Sequence, residues 1–205
     1  IVLMHSNGQT TAIDANYASQ LKVSGLSSLD AALRETSIRT ALPDTEEEAM
    51  TMMTLKKGQL NMQDYDKYAD EFIEKFPTSA FGYKEKAPSR VTDSKYEEAA
   101  RMMETGIKKS AAKDEAHSDY SDIIYQKIIY KGDSVYTAWT LDKALDEARQ
   151  AYAIKAQPVY KHQEARILFT KGDYADAANI FLDLTKTPIN SGELYLEAAQ
   201  AKTRL

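Results

Sequence analysis

With 205 residues and 43% hydrophobic side chains the chain is long enough to bury a sizeable core, while 26 basic against 31 acidic residues give a formal charge of −5 and no general electrostatic pull toward nucleic acid or anionic lipid. Cysteine is absent, which excludes disulfides, Cys-based zinc sites and thiol chemistry. Eight glycines and five prolines are few for a turn-rich β fold, so the composition points to an all-α protein.

The opening run Ile1-Val2-Leu3-Met4 is too short for a membrane span or an intact signal peptide. Residues 1–25 mix polar residues with isolated apolar ones and leave room for one short helix from Ala12 to Val23. Leu26, Leu29, Leu33, Ile38 and Leu42 then trace a helical stripe that Pro43 ends, making 1–43 an N-terminal helical segment. Asp44-Thr45-Glu46-Glu47-Glu48 predicts a helix start, with a Thr45-x-x-Glu48 capping box and acidic charge at the positive end of the helix dipole. In that setting the acidic run is a helix terminus rather than a metal site.

Met50, Met52, Met53 and Leu55 lead to a turn at Gly58, then to a helix through Tyr65, Phe72 and Phe76 that stops at Pro77. Thioethers at such positions fill gaps between helices. A second hairpin begins at Thr78 or Ser79 and runs through Phe81, Tyr83 and Ala87, where Pro88 predicts an early end or a kink. Its partner helix carries Ala99, Ala100 and Met103 behind a Ser94-x-x-Glu97 capping box. Tyr120, Ile123, Ile124, Lys127 and Ile128 form the next apolar face. The stretch from Tyr130 to Tyr136 is longer than a turn and is either an extended helix pair or a surface loop. A partner helix from near Thr140 repeats Leu141, Ala144, Leu145, Ala148 and Tyr152 before Pro158.

The clearest unit spans Val159 to Thr187. Ala165, Ile167, Leu168 and Phe169 form the apolar half of one helix, Gly172 closes it, and Tyr174, Ala177, Phe181 and Leu184 recur at three- and four-residue steps before Pro188. Small Ala165 and Ala177 predict a close approach of two backbones. Asn190-Ser191-Gly192-Glu193 caps a last helix through Leu194, Tyr195, Ala198 and Ala199 that shows no partner before Leu205, which suggests a longer parent chain.

This Gly-Asp-Tyr turn between small-residue helices, closed by Pro188, resembles the tetratricopeptide repeat (TPR) family. The anchors Tyr65, Tyr96, Leu141 and Tyr174 recur near the family period of about 34 residues, with one longer interval. The resemblance covers the chain from Asp44 onward. It implies an all-α, right-handed α-α superhelix of antiparallel hairpins, with 1–43 a degenerate repeat and 44–205 an array carrying an insertion near 130–139. It also implies a non-enzymatic scaffold that holds a peptide or protein partner in a concave groove, without cofactor or metal. The Tyr- and Lys-rich, Cys-free repeats resemble envelope proteins of Bacteroidetes-type bacteria, which implies an extracytoplasmic site rather than the cytoplasm. The alternative is a small-molecule or glycan-binding module of an envelope uptake system, with rings stacked on some of the thirteen tyrosines.

With Ala87, Ser121, Ala165 and Ala199 as equivalent small positions, the TPR pattern places Lys84, Ser118, Asp122 and Tyr125 on the inner face, followed by His162, Arg166 and Phe169, and then Leu196 and Gln200. His162 and Arg166, four residues apart, are either a carboxylate-binding pair or a solvated polar face. TPR domains that clamp a chaperone C-terminus carry paired Lys and Asn, and Pro88 and Asp122 stand where Asn is expected, so that partner is disfavoured. No Gly-rich phosphate loop, Gly-x-Ser-x-Gly elbow or His-Glu-x-x-His occurs in the sequence. The acid pairs Asp142/Asp146 and Glu97/Glu98 receive no catalytic role.

Overall fold

A computed structural model describes residues 2–4, 10–12, 41–58, 60–131, 136–187 and 191–205. The chain divides into two compact units, Ile1–Phe72 and Ile73–Leu205. Among the described residues no helix is long and apolar enough to cross a membrane.

In the first unit, Val2–Met4 (β1) and Thr10–Ala12 (β2) pair antiparallel, with Leu3 opposite Thr11. This corrects the expectation of helix at Ala12. Val2, Thr10 and Thr11 are β-branched, which suits an extended ribbon. The remainder of the expected 12–23 helix, and the stripe from Leu26 to Ile38, lie outside the described residues. Helices Glu46–Lys57 (α1) and Met62–Lys75 (α2) follow, α2 running across the division between the units. Thr45 is extended at the N-cap but its hydroxyl makes no cap bond. The expected capping box is therefore absent, and Glu46, Glu47 and Glu48 favour the start through the helix dipole. Met52 and Met53 are buried, as are Ala49, Tyr65, Ala69 and Phe72. Lys56 is also buried, its Nζ donating to Tyr68 Oη at 2.9 Å and lying 4.4 Å from that ring's centroid.

The second unit contains Ala80–Thr92 (α3), Tyr96–Lys109 (α4), Lys113–Lys131 (α5), Leu141–Ile154 (α6), Pro158–Lys171 (α7), Tyr174–Leu184 (α8) and Gly192–Lys202 (α9). Each helix packs on its successor, and α5 also touches both α3 and α7. Helices α3, α5 and α7 thus share one layer, the pattern of an α-α solenoid. Apart from the two-stranded ribbon of β1 and β2, the described fold is all-α.

Small residues sit where helices meet. Ala99, Ala144, Ala165 and Ala177 are wholly buried in one core with Tyr120, Ile124, Leu168 and Phe181. Gly106 serves the same purpose between α3 and α4, since a Cβ there would lie 2.9 Å from Tyr83 Cβ. Gly172 adopts φ 93, and the amides of Gly172 and Asp173 bond the Phe169 and Leu168 carbonyls at 3.1 and 2.9 Å. This is a Schellman end, and it turns the chain directly into α8.

Ser94 performs the same turn without glycine. Its φ is 62, and the amides of Ser94 and Lys95 bond the Val91 and Arg90 carbonyls at 3.1 and 2.7 Å. The expected capping box at Ser94 is therefore corrected: a residue closing α3 in the left-handed region cannot also be the extended N-cap of α4, and Lys95 occupies that cap. Nor does α3 end early at Pro88; it continues to Thr92. The proline removes one helical bond, but Ala87 and Ser89 on either side are buried, and Thr92 Oγ1 donates to the Pro88 carbonyl at 3.0 Å. Packing outweighs the local penalty.

Before α6, Trp139 is buried against Tyr96, Tyr120 and Tyr136, with ring centroids 5.9, 6.4 and 5.6 Å away. Its indole N–H donates to Tyr120 Oη at 3.2 Å. The end of the insertion is thus part of the core, and Thr140 starts α6 by accepting from the Lys143 amide at 3.0 Å.

Candidate functional site

The site lies on the layer built by α5, α7 and α9. On α7, Ala165, Ile167 and Leu168 face the core, so Arg166, His162 and Phe169 fall beside that buried stripe. Tyr125 on α5, Arg166 and Phe169 on α7, Phe181 on α8, and Glu197 and Gln200 on α9 line a cavity of about 180 Å³. The Arg166 side chain is 48% exposed. Its guanidinium carbon sits 5.6 Å from the centre of the Tyr125 ring, a cation–π distance. Tyr125 is held in turn by a 3.1 Å hydrogen bond between its hydroxyl and Thr170 Oγ1.

Glu197 supplies the negative charge. Its Oε2 lies 2.7 Å from His162 Nε2, whereas its Oε1 is 4.0 Å from Arg166 Nε. His162 meets buried Phe181 edge-on at 5.9 Å, and Phe169 meets Tyr174 edge-on at 5.3 Å. The cavity therefore combines a half-exposed guanidinium with aromatic walls.

Of the residues singled out from sequence, Tyr125, Arg166, Phe169 and Gln200 line this cavity, and His162 joins it through Glu197. Lys84 and Asp122 do not line it. Lys84 pairs with Asp119 across α3 and α5 at 2.8 Å, and Asp122 is exposed one turn before Tyr125, with Gln126 Nε2 at 3.5 Å from both its oxygens. Leu196 is exposed outside the cavity. On α9 the register shifts by one residue: Ala198 is buried and Ala199 exposed. The buried row Leu194, Ala198 and Ala201 packs against α8, which is the physical reason Ala199 cannot be the equivalent of Ala165.

Phe181, Glu197 and Thr170 were not anticipated as site residues. Phe181 was legible only as core, and Glu197 is one of many surface acids whose partners come from another helix.

Glu97, Glu98, Asp142 and Asp146 are all exposed. The buried acids are elsewhere. Glu147 on α6 lies 2.5 Å from His117 Nδ1 through one oxygen and 2.5 Å from Lys143 Nζ through the other. Burial would raise its carboxyl pKa, but the bonds from His117 and Lys143 outweigh that and hold it below 4.5. Glu164 on α7 is held low in the same way by Lys161 at 2.6 Å and Arg149 at 2.8 Å, against the effect of burial. Both oxygens of each acid are engaged by neighbouring side chains, so these pairs act as ties in and between helices. Among the described residues no three His, Asp or Glu side chains converge as a metal site.

No protein-family model matches the chain, and no curated protein matches it. Among solved structures it is similar to YrrB, a TPR protein with an unusual peptide-binding site, at 13% identity over 86% of this chain and 83% of that one, with a TM-score of 0.51. It is also similar to MamA at 15% identity over 95% of this chain and 100% of that one, with a TM-score of 0.50. The likeness is one of fold. The chain has the TPR-like architecture of stacked helix hairpins.

Proposed function

We propose that this protein is a non-enzymatic scaffold whose inner helical layer binds an extended peptide or a segment of a protein partner, with Arg166 as its anchor. The observation that carries this reading is a half-exposed guanidinium fixed over Tyr125 at the mouth of an aromatic-walled cavity. A charge placed there gains strength from partial exclusion of water, and Phe169 offers apolar contact beside it. That YrrB, a structural neighbour, has a peptide-binding site agrees with the reading.

The glycan or small-molecule alternative needs open tyrosine rings around one enclosed pocket. Here Tyr65, Tyr83, Tyr96, Tyr120, Tyr125 and Tyr160 are buried, and Arg166 lies over the Tyr125 ring. The Arg166 cavity is also smaller than the roughly 300 Å³ at which pockets for small ligands begin, and in the larger cavity beside Tyr152 the ring is covered by Lys161, whose Nζ lies 4.6 Å from its centroid.

Panning a displayed random-peptide library on the wild-type chain and on Arg166→Ala tests the proposal. Peptides enriched on the wild type are expected to bind R166A about tenfold more weakly or worse, while its melting temperature stays within a few degrees. Peptides retained equally by both proteins would overturn Arg166 as the anchor.

A further inference from the structure

The two oxygens of Glu197 are treated unequally. Oε2 lies 2.7 Å from His162 Nε2, while Oε1 stands 4.0 Å from Arg166 Nε, beyond the roughly 2.7–2.9 Å of a charge-assisted bond. Besides this long approach to Glu197, the Arg166 guanidinium lies over the ring of Tyr125, 5.6 Å from its centroid. A carboxylate on a neighbouring helix, free to choose, would close on an arginine fork that is only 48% exposed. His162 holds the other oxygen of that carboxylate at 2.7 Å. Its ring is set against Phe181, which is 1% exposed and fixed in the core, so the hydrogen bond it offers Glu197 comes from a fixed position. Arg166 is correspondingly set by Tyr125, itself tied to Thr170.

We infer that the cavity takes an acidic side chain of the bound segment, Asp or Glu, on Arg166, and that His162 is a positioning residue that keeps the fork open by holding Glu197 back. This rests on the groove reading given above and names the chemistry it selects. Glu197 is an internal competitor for the same guanidinium, restrained rather than absent. Charge complementarity then favours a segment whose carboxylate lies next to an apolar residue, because Phe169 lines the same cavity. A neutral amide in place of the carboxylate would leave Arg166 with no counter-charge nearer than Glu197 at 4.0 Å.

The test uses three pools of fluorescein-labelled decapeptides, each with one fixed leucine. The first has glutamate beside the leucine and an amidated C-terminus, the second glutamine and an amidated C-terminus, the third glutamine and a free C-terminal carboxylate. Binding is read by fluorescence polarisation, and helicity and melting are followed for every variant. The glutamate pool is expected to bind the wild type, with about tenfold loss in the glutamine pools and in R166A. His162 is separated from a plain contact residue by rescue. H162A should weaken the glutamate pool about fivefold or more as Glu197 closes on Arg166, E197Q should bind at least as well as wild type, and H162A/E197Q should return to within about twofold of E197Q. H162N, too short to hold Glu197, should repeat the H162A result and replaces it should H162A lose the fold.

A double variant as weak as H162A would overturn the positioning role. Equal binding of the glutamate and amidated glutamine pools, or preference for the free C-terminus, would overturn the acidic side chain while leaving the groove intact. Failure of every pool on the wild type, or binding indifferent to R166A, would instead overturn the groove reading.

Discussion

Phe181→Ala is expected to destabilise the second unit by about 3–5 kcal/mol, the cost of deleting a fully buried aromatic ring whose site cannot collapse. Phe181 shares its core with Ala165, Ala177 and Leu184, all buried where α7 and α8 meet. Those helices are locked by the Schellman turn at Gly172, so the two backbones have little freedom to close over the gap. Nearest-neighbour packing in a solenoid carries the loss to α9, which rests on α8. Urea unfolding measures the change. A loss below about 1 kcal/mol would contradict the packing of this joint.

The second large effect concerns Glu147 and depends on pH. At neutral pH, Glu147→Gln should cost about 1–3 kcal/mol, because Lys143 and buried His117 lose a charged acceptor. The sign follows from the direction of the shift. Glu147 and Glu164 are both held below 4.5 in the folded chain, so their stabilisation is complete above the unfolded carboxyl pKa and is lost as pH falls below 4.5 toward the folded values. Thermal midpoints of the wild type should therefore drop as pH is lowered through that window, and the gap between wild type and E147Q should narrow there. A gap of constant size across that range would show that the Glu147 charge is not what the native state uses.

Much of the fold was legible because the hairpin code is local. Gly172 supplies a left-handed residue, Tyr174 and Phe181 mark a helical face, and Ala165 and Ala177 allow close approach. Where the chain substitutes another residue for the same physical task, the code misleads. Ser94 looks like a helix cap but makes the left-handed turn that glycine makes at 172. Pro88 looks like a stop but sits in a helix held by buried neighbours. Trp139 gave no periodic signal, since it packs from a non-helical position.

The candidate site was half legible for a related reason. His162, Arg166 and Phe169 share one face of one helix, which spacing reveals. Glu197 comes from α9, where two adjacent alanines left the register open by one residue, and only packing against α8 decides that Ala198 turns inward. The difference between 2.7 and 4.0 Å at the two Glu197 oxygens is a tertiary property with no trace in the sequence.

The most direct test of the groove is to map where a bound peptide touches the chain, using amide chemical shifts of isotope-labelled protein titrated with a panned peptide. Binding in the groove predicts that the largest shifts cluster at Tyr125, Arg166, Phe169 and Gln200, on the layer of α5, α7 and α9. A separate cavity of about 320 Å³ is lined by residues including Tyr152, Lys161, Ile180 and Leu184. Shifts concentrated there, with Arg166 and its neighbours unmoved, would contradict it.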